Sequence, residues 1–136
     1  MMSVHSELEG ALAPVVDDLT RTCRVQPEVE PWGPQDGGDE GDQRWAMLRE
    51  PDGSGAGVGV RLGQPAADQI AELAGNAQEW AVEALNAAGF PAVWPECPLH
   101  PDSHPLNPVV RRGVAVWLCP RDDVEIATIG RLLDHG

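Results

Sequence analysis

The residues best suited to chemistry lie in the last third of the chain. There, Trp94-Pro95-Glu96-Cys97-Pro98-Leu99-His100 is answered by Val116-Trp117-Leu118-Cys119-Pro120-Arg121-Asp122. Each segment carries a tryptophan, then Cys-Pro-x, then a side chain able to bind metal. A tight turn lets positions i and i+3 point at one ion. The 18 residues between His100 and Cys119 then form a hairpin-length return that brings the second turn back, within the spacing expected of a zinc site. The fourth ligand has two protein candidates. Ligand chemistry favours His104, in the run HPDSHPLNP, because neutral imidazole and thiolate are common in closed structural zinc sites and carboxylate is less so. Spacing favours Asp122, which holds the matching place in the second turn, and a water molecule is the third alternative. The expected metal set is therefore Cys97, His100, His104 and Cys119 around Zn2+. The plain alternative is a pair of buried thiols beside a proline-rich turn, with both histidines solvated.

These paired knuckles resemble the zinc-ribbon family over residues 90–130, with His100 in place of the second cysteine and Asp122 in place of the fourth. The resemblance implies a zinc-held module, and zinc ribbons often touch nucleic acid. Here Arg111, Arg112, Arg121 and Arg131 are outweighed by Glu96, Asp102, Asp122, Asp123, Glu125 and Asp134, so a solvated face accounts for the arginines. Prolines at 91, 95, 98, 101, 105 and 108 leave this stretch little helix or central strand. A structural ion, worth on the order of 10 kcal/mol in small zinc modules, would supply the missing stabilisation.

The chain that must position these ligands has 136 residues, the length of one domain. We divide it into an α+β core over residues 1–92, with an acidic loop at 33–43, and a zinc-knuckle subregion over 93–136. Residues 4–20 have helical apolar spacing at Leu8, Leu12, Val15, Val16 and Leu19. Ser6 and Glu9 have capping-box spacing, and Pro14 predicts a kink or a split into two helices. Cys23, Val25 and Val29 alternate as an edge strand, demoted by Pro27 and Pro31. The loop GPQDGGDEGDQ carries four carboxylates and four glycines, and reads as a solvated or disordered bridge. Trp45 to Leu48 and Val58 to Leu62 flank Pro51-Asp52-Gly53-Ser54-Gly55 as a hairpin, with Gly57 and Gly59 outward or open to a close backbone approach. Pro65, Asp68 and Gly89 bound a helix over 65–88 whose apolar stripe includes Leu73, Trp80 and Leu85. Val114, Val116 and Leu118 form a strand, with Val124, Ile126 and Ile129 as its partner or a terminal turn. The fold class is α+β: a small antiparallel sheet with packed helices and a C-terminal zinc-ribbon-like segment.

Composition narrows the function. The net charge is −13 and all nine basic residues are arginine, which argues against a duplex-binding surface. The acidity concentrates in the amino-terminal half, so a basic partner is expected to meet residues 28–43, where Trp32 and Trp45 border the acidic loop and could line a recognition surface. No apolar run approaches the ~18 residues of a membrane span, and the amino terminus lacks a signal-peptide pattern, so the expected compartment is the cytoplasm. Three cysteines cannot all pair, and disulfides are rare in that compartment. A chain without Lys or Tyr and rich in Ala, Gly, Pro, Arg and Val resembles proteins of high-GC bacteria. No nucleophile is paired with a base, and no GxSxG, HExxH or Walker loop occurs, so no catalytic residue is assigned. The expected function is a non-catalytic, zinc-stabilised acidic module that binds a protein partner. The alternatives are a metal-dependent hydrolase with Glu96 or Asp102 as base, and a nucleic-acid mimic.

Overall fold

Helix α1 (His5–Thr22) is one continuous element, not two. Pro14 withholds one backbone donor and crowds the preceding turn. Both halves of the helix nevertheless bury the same stripe, Leu8, Ala11, Leu12, Val15 and Leu19, and that shared burial holds them in line. Gly130 closes over the proline so tightly that a Cβ on it would lie 2.7 Å from the Pro14 Cβ, and its backbone is left-handed (φ 103°). Only glycine suits both demands. The computed structural model describes residues 5–31, 39–40, 42–101 and 103–132. The Ser6 side chain of the expected capping box and most of the acidic loop, including Trp32, lie outside that description.

The first sheet is organised about β3 (Gln43–Arg49). Strand β4 (Gly55–Arg61) pairs along its whole length, from Gln43 opposite Arg61 to Arg49 opposite Gly55. The other edge is shared by β1 (Glu28–Pro31), opposite Arg49 to Ala46, and β2 (Asp39–Glu40), opposite Arg44 and Gln43. The expected strand thus starts later than its alternation suggested, because Cys23 still belongs to the helix exit, where its N–H donates to the Leu19 carbonyl (2.9 Å). The far end of the acidic loop is strand, since Asp39 and Glu40 form β2 and Gln43 opens β3. Val58 and Val60 are fully buried, whereas Leu62 lies past the end of the strand and is half-buried. Gly59 makes room for both a side chain and a backbone of the facing strand: a Cβ there would stand 2.6 Å from the Trp45 indole and 2.9 Å from the Arg44 carbonyl oxygen.

Helix α2 (Ala66–Ala87) follows the expected bounds within one residue, and the Phe90 N–H donating to the Leu85 carbonyl (2.9 Å) closes it at Gly89. It packs on α1, on β4 and on the second sheet. That sheet is an antiparallel meander of β5 (Asn107–Arg111), β6 (Val114–Cys119) and β7 (Val124–Thr128). The two-residue period of β6 turns Ala115, Trp117 and Cys119 to the shared core. A register shift between Trp117 and Leu118 leaves Ile126 of β7 without an opposite residue, the mark of a bulge beside Cys119.

Asp18 joins these parts. It lies on the apolar stripe of α1 and is fully buried. Its carboxylate accepts from the Trp117 indole Nε1 (2.8 Å), the Gly130 N–H (2.7 Å) and the Leu132 N–H (3.0 Å). Asp18→Ala would leave three buried donors unmet at about 1–3 kcal/mol each. We expect a loss of about 3–5 kcal/mol of the roughly 5–15 kcal/mol available to a domain. Asp18→Asn, which keeps one acceptor oxygen, should lose clearly less; urea denaturation followed by tryptophan fluorescence measures both.

Candidate metal centre

Residues 94–106 fold back on themselves despite their prolines. The Leu106 N–H donates to the Pro95 carbonyl (2.8 Å), Glu96 bridges Pro105, and the Cys97 N–H reaches the His104 carbonyl (3.4 Å). Within this loop, the His100 N–H donates to the Cys97 carbonyl (3.2 Å). That bond makes Cys97-Pro98-Leu99-His100 a tight turn with proline at its second position, which sets both side chains toward one point. His104 comes from the returning arm of the loop, and Cys119 from the last residue of β6.

The four ligand atoms all lie within 4.8 Å of one another, so Cys97, His100, His104 and Cys119 are close enough to bind a metal ion. His100 Nδ1 is 3.5 Å from each of the two sulfurs and 3.2 Å from His104 Nε2, and that nitrogen is 3.9 Å from the Cys119 Sγ. Tetrahedral bonds of about 2.3 Å to sulfur and about 2.0 Å to nitrogen imply N···S edges of about 3.5 Å and an N···N edge of about 3.3 Å. Three of these four edges match those of such an ion and the fourth, at 3.9 Å, is slightly long, so the donor set is close to that geometry. Both thiols are fully buried and both histidines half-buried. Burial pushes the Cys97 thiol up from its ordinary value, and the neighbouring Cys119 adds to this. A cation between the sulfurs would oppose that shift, because it favours the thiolates.

Asp122 does not join the cluster. It sits behind His100, whose Nε2 lies 3.1 Å from the Asp122 carboxylate. His104 is held in the same manner, its Nδ1 3.0 Å from the Pro105 carbonyl. In each ring, one nitrogen faces the cluster while the other lies within 3.1 Å of an oxygen, the arrangement that sets tautomer and orientation in metal-bound imidazoles. The second knuckle therefore contributes Cys119 alone. The spacing that pointed to Asp122 located a residue at the site but not its role, since β6 ends at Cys119 and residues 120–123 form the turn into β7.

One supporting residue carries no signature in the sequence. Gln78 of α2 donates through Nε2 to the Leu106 carbonyl (2.5 Å) and the Trp94 carbonyl (3.3 Å), gripping both arms of the loop. The knuckle tryptophans meet edge to face, with centroids 5.4 Å apart and planes at 78°. Their indole N–H groups donate to α1: Trp94 to the Thr22 hydroxyl (2.9 Å) and Trp117 to Asp18. Their signal was a pair of polar residues, Asp18 and Thr22, four apart on a buried helix face. Of the bases considered for hydrolysis, Glu96 is exposed beside Pro105 and Asp102 lies outside the described residues. Arg111 and Arg112 pair with Asp123 (2.5 Å) and Glu125 (3.6 Å). Among the described residues, no helix is long and apolar enough to cross a membrane. No protein-family model, curated protein or solved structure matches the chain.

Proposed function

We propose that this chain is a non-catalytic, zinc-stabilised module of the cytoplasm that presents an acidic surface to a protein partner. Cys97, His100, His104 and Cys119 hold one Zn2+ as a closed structural site. The observation that carries this reading is the convergence of two thiols and two imidazoles within 4.8 Å, each imidazole braced from behind by an oxygen. Two sulfurs and two nitrogens suit zinc, and four protein ligands leave no open position for a reactive water. The ion's task is mechanical. It ties the proline-rich loop to the end of β6, where backbone ladders are short. The remaining resemblance to zinc ribbons is confined to the first knuckle. The negative charge of the amino-terminal half, including residues 28–43, favours a basic partner.

The ligand set is tested by metal content and X-ray absorption. Protein purified without chelators should carry about one zinc per chain, with two sulfur neighbours at about 2.3 Å and two nitrogen neighbours at about 2.0 Å. Less than about 0.2 zinc per chain would overturn the reading. Asp122→Asn should preserve this shell yet weaken zinc binding by about 10–100-fold in competition with a chromophoric chelator, as expected for a brace behind a ligand. A change in the shell itself would instead make Asp122 a ligand. Cys119→Ser or prolonged chelation should lower the thermal midpoint by at least several degrees, read by circular dichroism.

A further inference from the structure

Strand β4 has one edge against β3 and, among the described residues, no strand on the other. In an antiparallel pair, both polar groups of a residue point to the same side, alternating along the strand. The Gly59 N–H donates to the Asn76 side-chain oxygen of α2 (3.4 Å), and the Arg61 carbonyl accepts from the Gln69 amide of α2 (2.9 Å). Odd-numbered residues of β4 therefore face away from β3. Even-numbered ones face toward it, a parity that continues past the strand end, where the Leu62 N–H donates to the Asp42 carbonyl (2.7 Å). Asn76 and Gln69 of α2 seal this edge at 59–61. At Gly55 and Gly57 no such seal is present among the described residues, and the edge opens into a groove of about 170 Å³ between β4 and α2.

The groove's walls are chemically specific. Gly55, Ala56 and Gly57 are exposed and carry almost no side chain; a Cβ on Gly55 would stand 2.6 Å from the Leu48 carbonyl oxygen of β3, so that glycine serves the hairpin, while the outward edge is left bare of bulky side chains. Around them stand the carboxylates of Glu50, Glu79 and Glu83. Glu79 and Glu83 sit one helical turn apart as a like-charge pair, and neither meets a cation among the described residues. Helix α2 carries four acidic residues and no basic one. The remaining wall includes Trp80, which is 2% exposed and whose indole N–H meets no acceptor among the described residues. Proteins usually blunt a free edge with lysine, proline or a bulge; residues 55–57 have none of these.

We infer that the free edge at 55–57 receives an extended segment of a partner protein, which pairs as an added strand and places an arginine or lysine side chain among Glu50, Glu79 and Glu83. Alternating outward N–H and C=O groups call for a peptide backbone, and the three carboxylates call for a cation on it. A second copy of this chain, at a net charge of −13, would bring repulsion instead. The inference rests on the reading of the chain as an interaction module and names the chemistry of its partner.

The test uses the full-length chain, with zinc content measured on the same sample, and a fluorescent seven-residue peptide of alternating arginine and valine. Anisotropy should rise on binding. Methylating alternate backbone amides of the peptide, which keeps its charge and removes its ladder donors, should abolish the rise. Glu79→Gln with Glu83→Gln, both at exposed helix positions, should weaken binding at least about tenfold without moving the thermal midpoint. Equal binding of the methylated peptide would overturn the inference in favour of a simple amine site, with spermidine as the competing ligand. A folded, zinc-loaded chain that captures no peptide would overturn the groove and not the metal reading. Ladder-dependent capture by a chain without zinc would uphold the groove and overturn the metal reading.

Discussion

The carboxylate of Asp18 is the constraint on which the other contacts depend. A buried charge is tolerated only when its acceptor sites are filled by fixed donors, and here they come from the β6 tryptophan and from Gly130 and Leu132 after β7. α1 cannot rotate or slide without stripping the carboxylate of those donors. The chain after β7 is held a second time, because the Arg21 guanidinium reaches the Gly130 and Leu132 carbonyls, each at 3.4 Å. Helix and second sheet are thereby locked in one register, and Cys119, two residues beyond Trp117 on the same strand face, inherits its position from that lock.

The ligand loop depends on supports outside itself. Its prolines deny it a regular ladder, so its two arms are joined by the Leu106–Pro95 bond, by the Glu96–Pro105 bridge and by the Gln78 amide of α2. Trp94 anchors the incoming arm to Thr22, whose hydroxyl itself donates to the Asp18 carbonyl (2.7 Å). Three of the four candidate ligands lie within this loop, between Cys97 and His104. The turn from Cys97 to His100 is local and belongs to the sequence of the loop. The meeting of that turn with Cys119 is a property of the whole fold.

That division explains what the sequence makes legible. The Cys-Pro-x-His turn, the α2 stripe and the β3–β4 hairpin follow from local periodicity and turn chemistry, and they stand where those patterns place them. Cys97, His100, His104 and Cys119 converge as chemistry predicts. The rest depends on contacts between distant residues. Nothing near Asp122 reveals that it will stand behind His100 instead of beside it, because the turn from β6 into β7 decides that. Pro14 signals a break that tertiary packing overrides, and Gly59 signals a bare strand face that Trp45 fills. Asp18 is the instructive case: a carboxylate on an apolar stripe looks like an error of pattern until its donors, roughly a hundred residues away, are in place.

One turn of α2 joins the two halves of this molecule. Gln78 faces the ligand loop, Glu79 lines the open groove beside β4, and Trp80, between them in the core, lines that groove as well. Adjacent residues of a helix point about 100° apart, so three successive side chains can serve three different neighbours with no flexible segment between them. The edge of β4 depends on the same helix, since Asn76 and Gln69 cap its sealed portion. A change that loosened the ligand loop would release Gln78 and reach the groove through the position of α2. The proline-rich loop and the acidic edge, which share no residue, are therefore held by one rigid support. That shared support gives the Cys/His cluster a physical route to the groove beside β4.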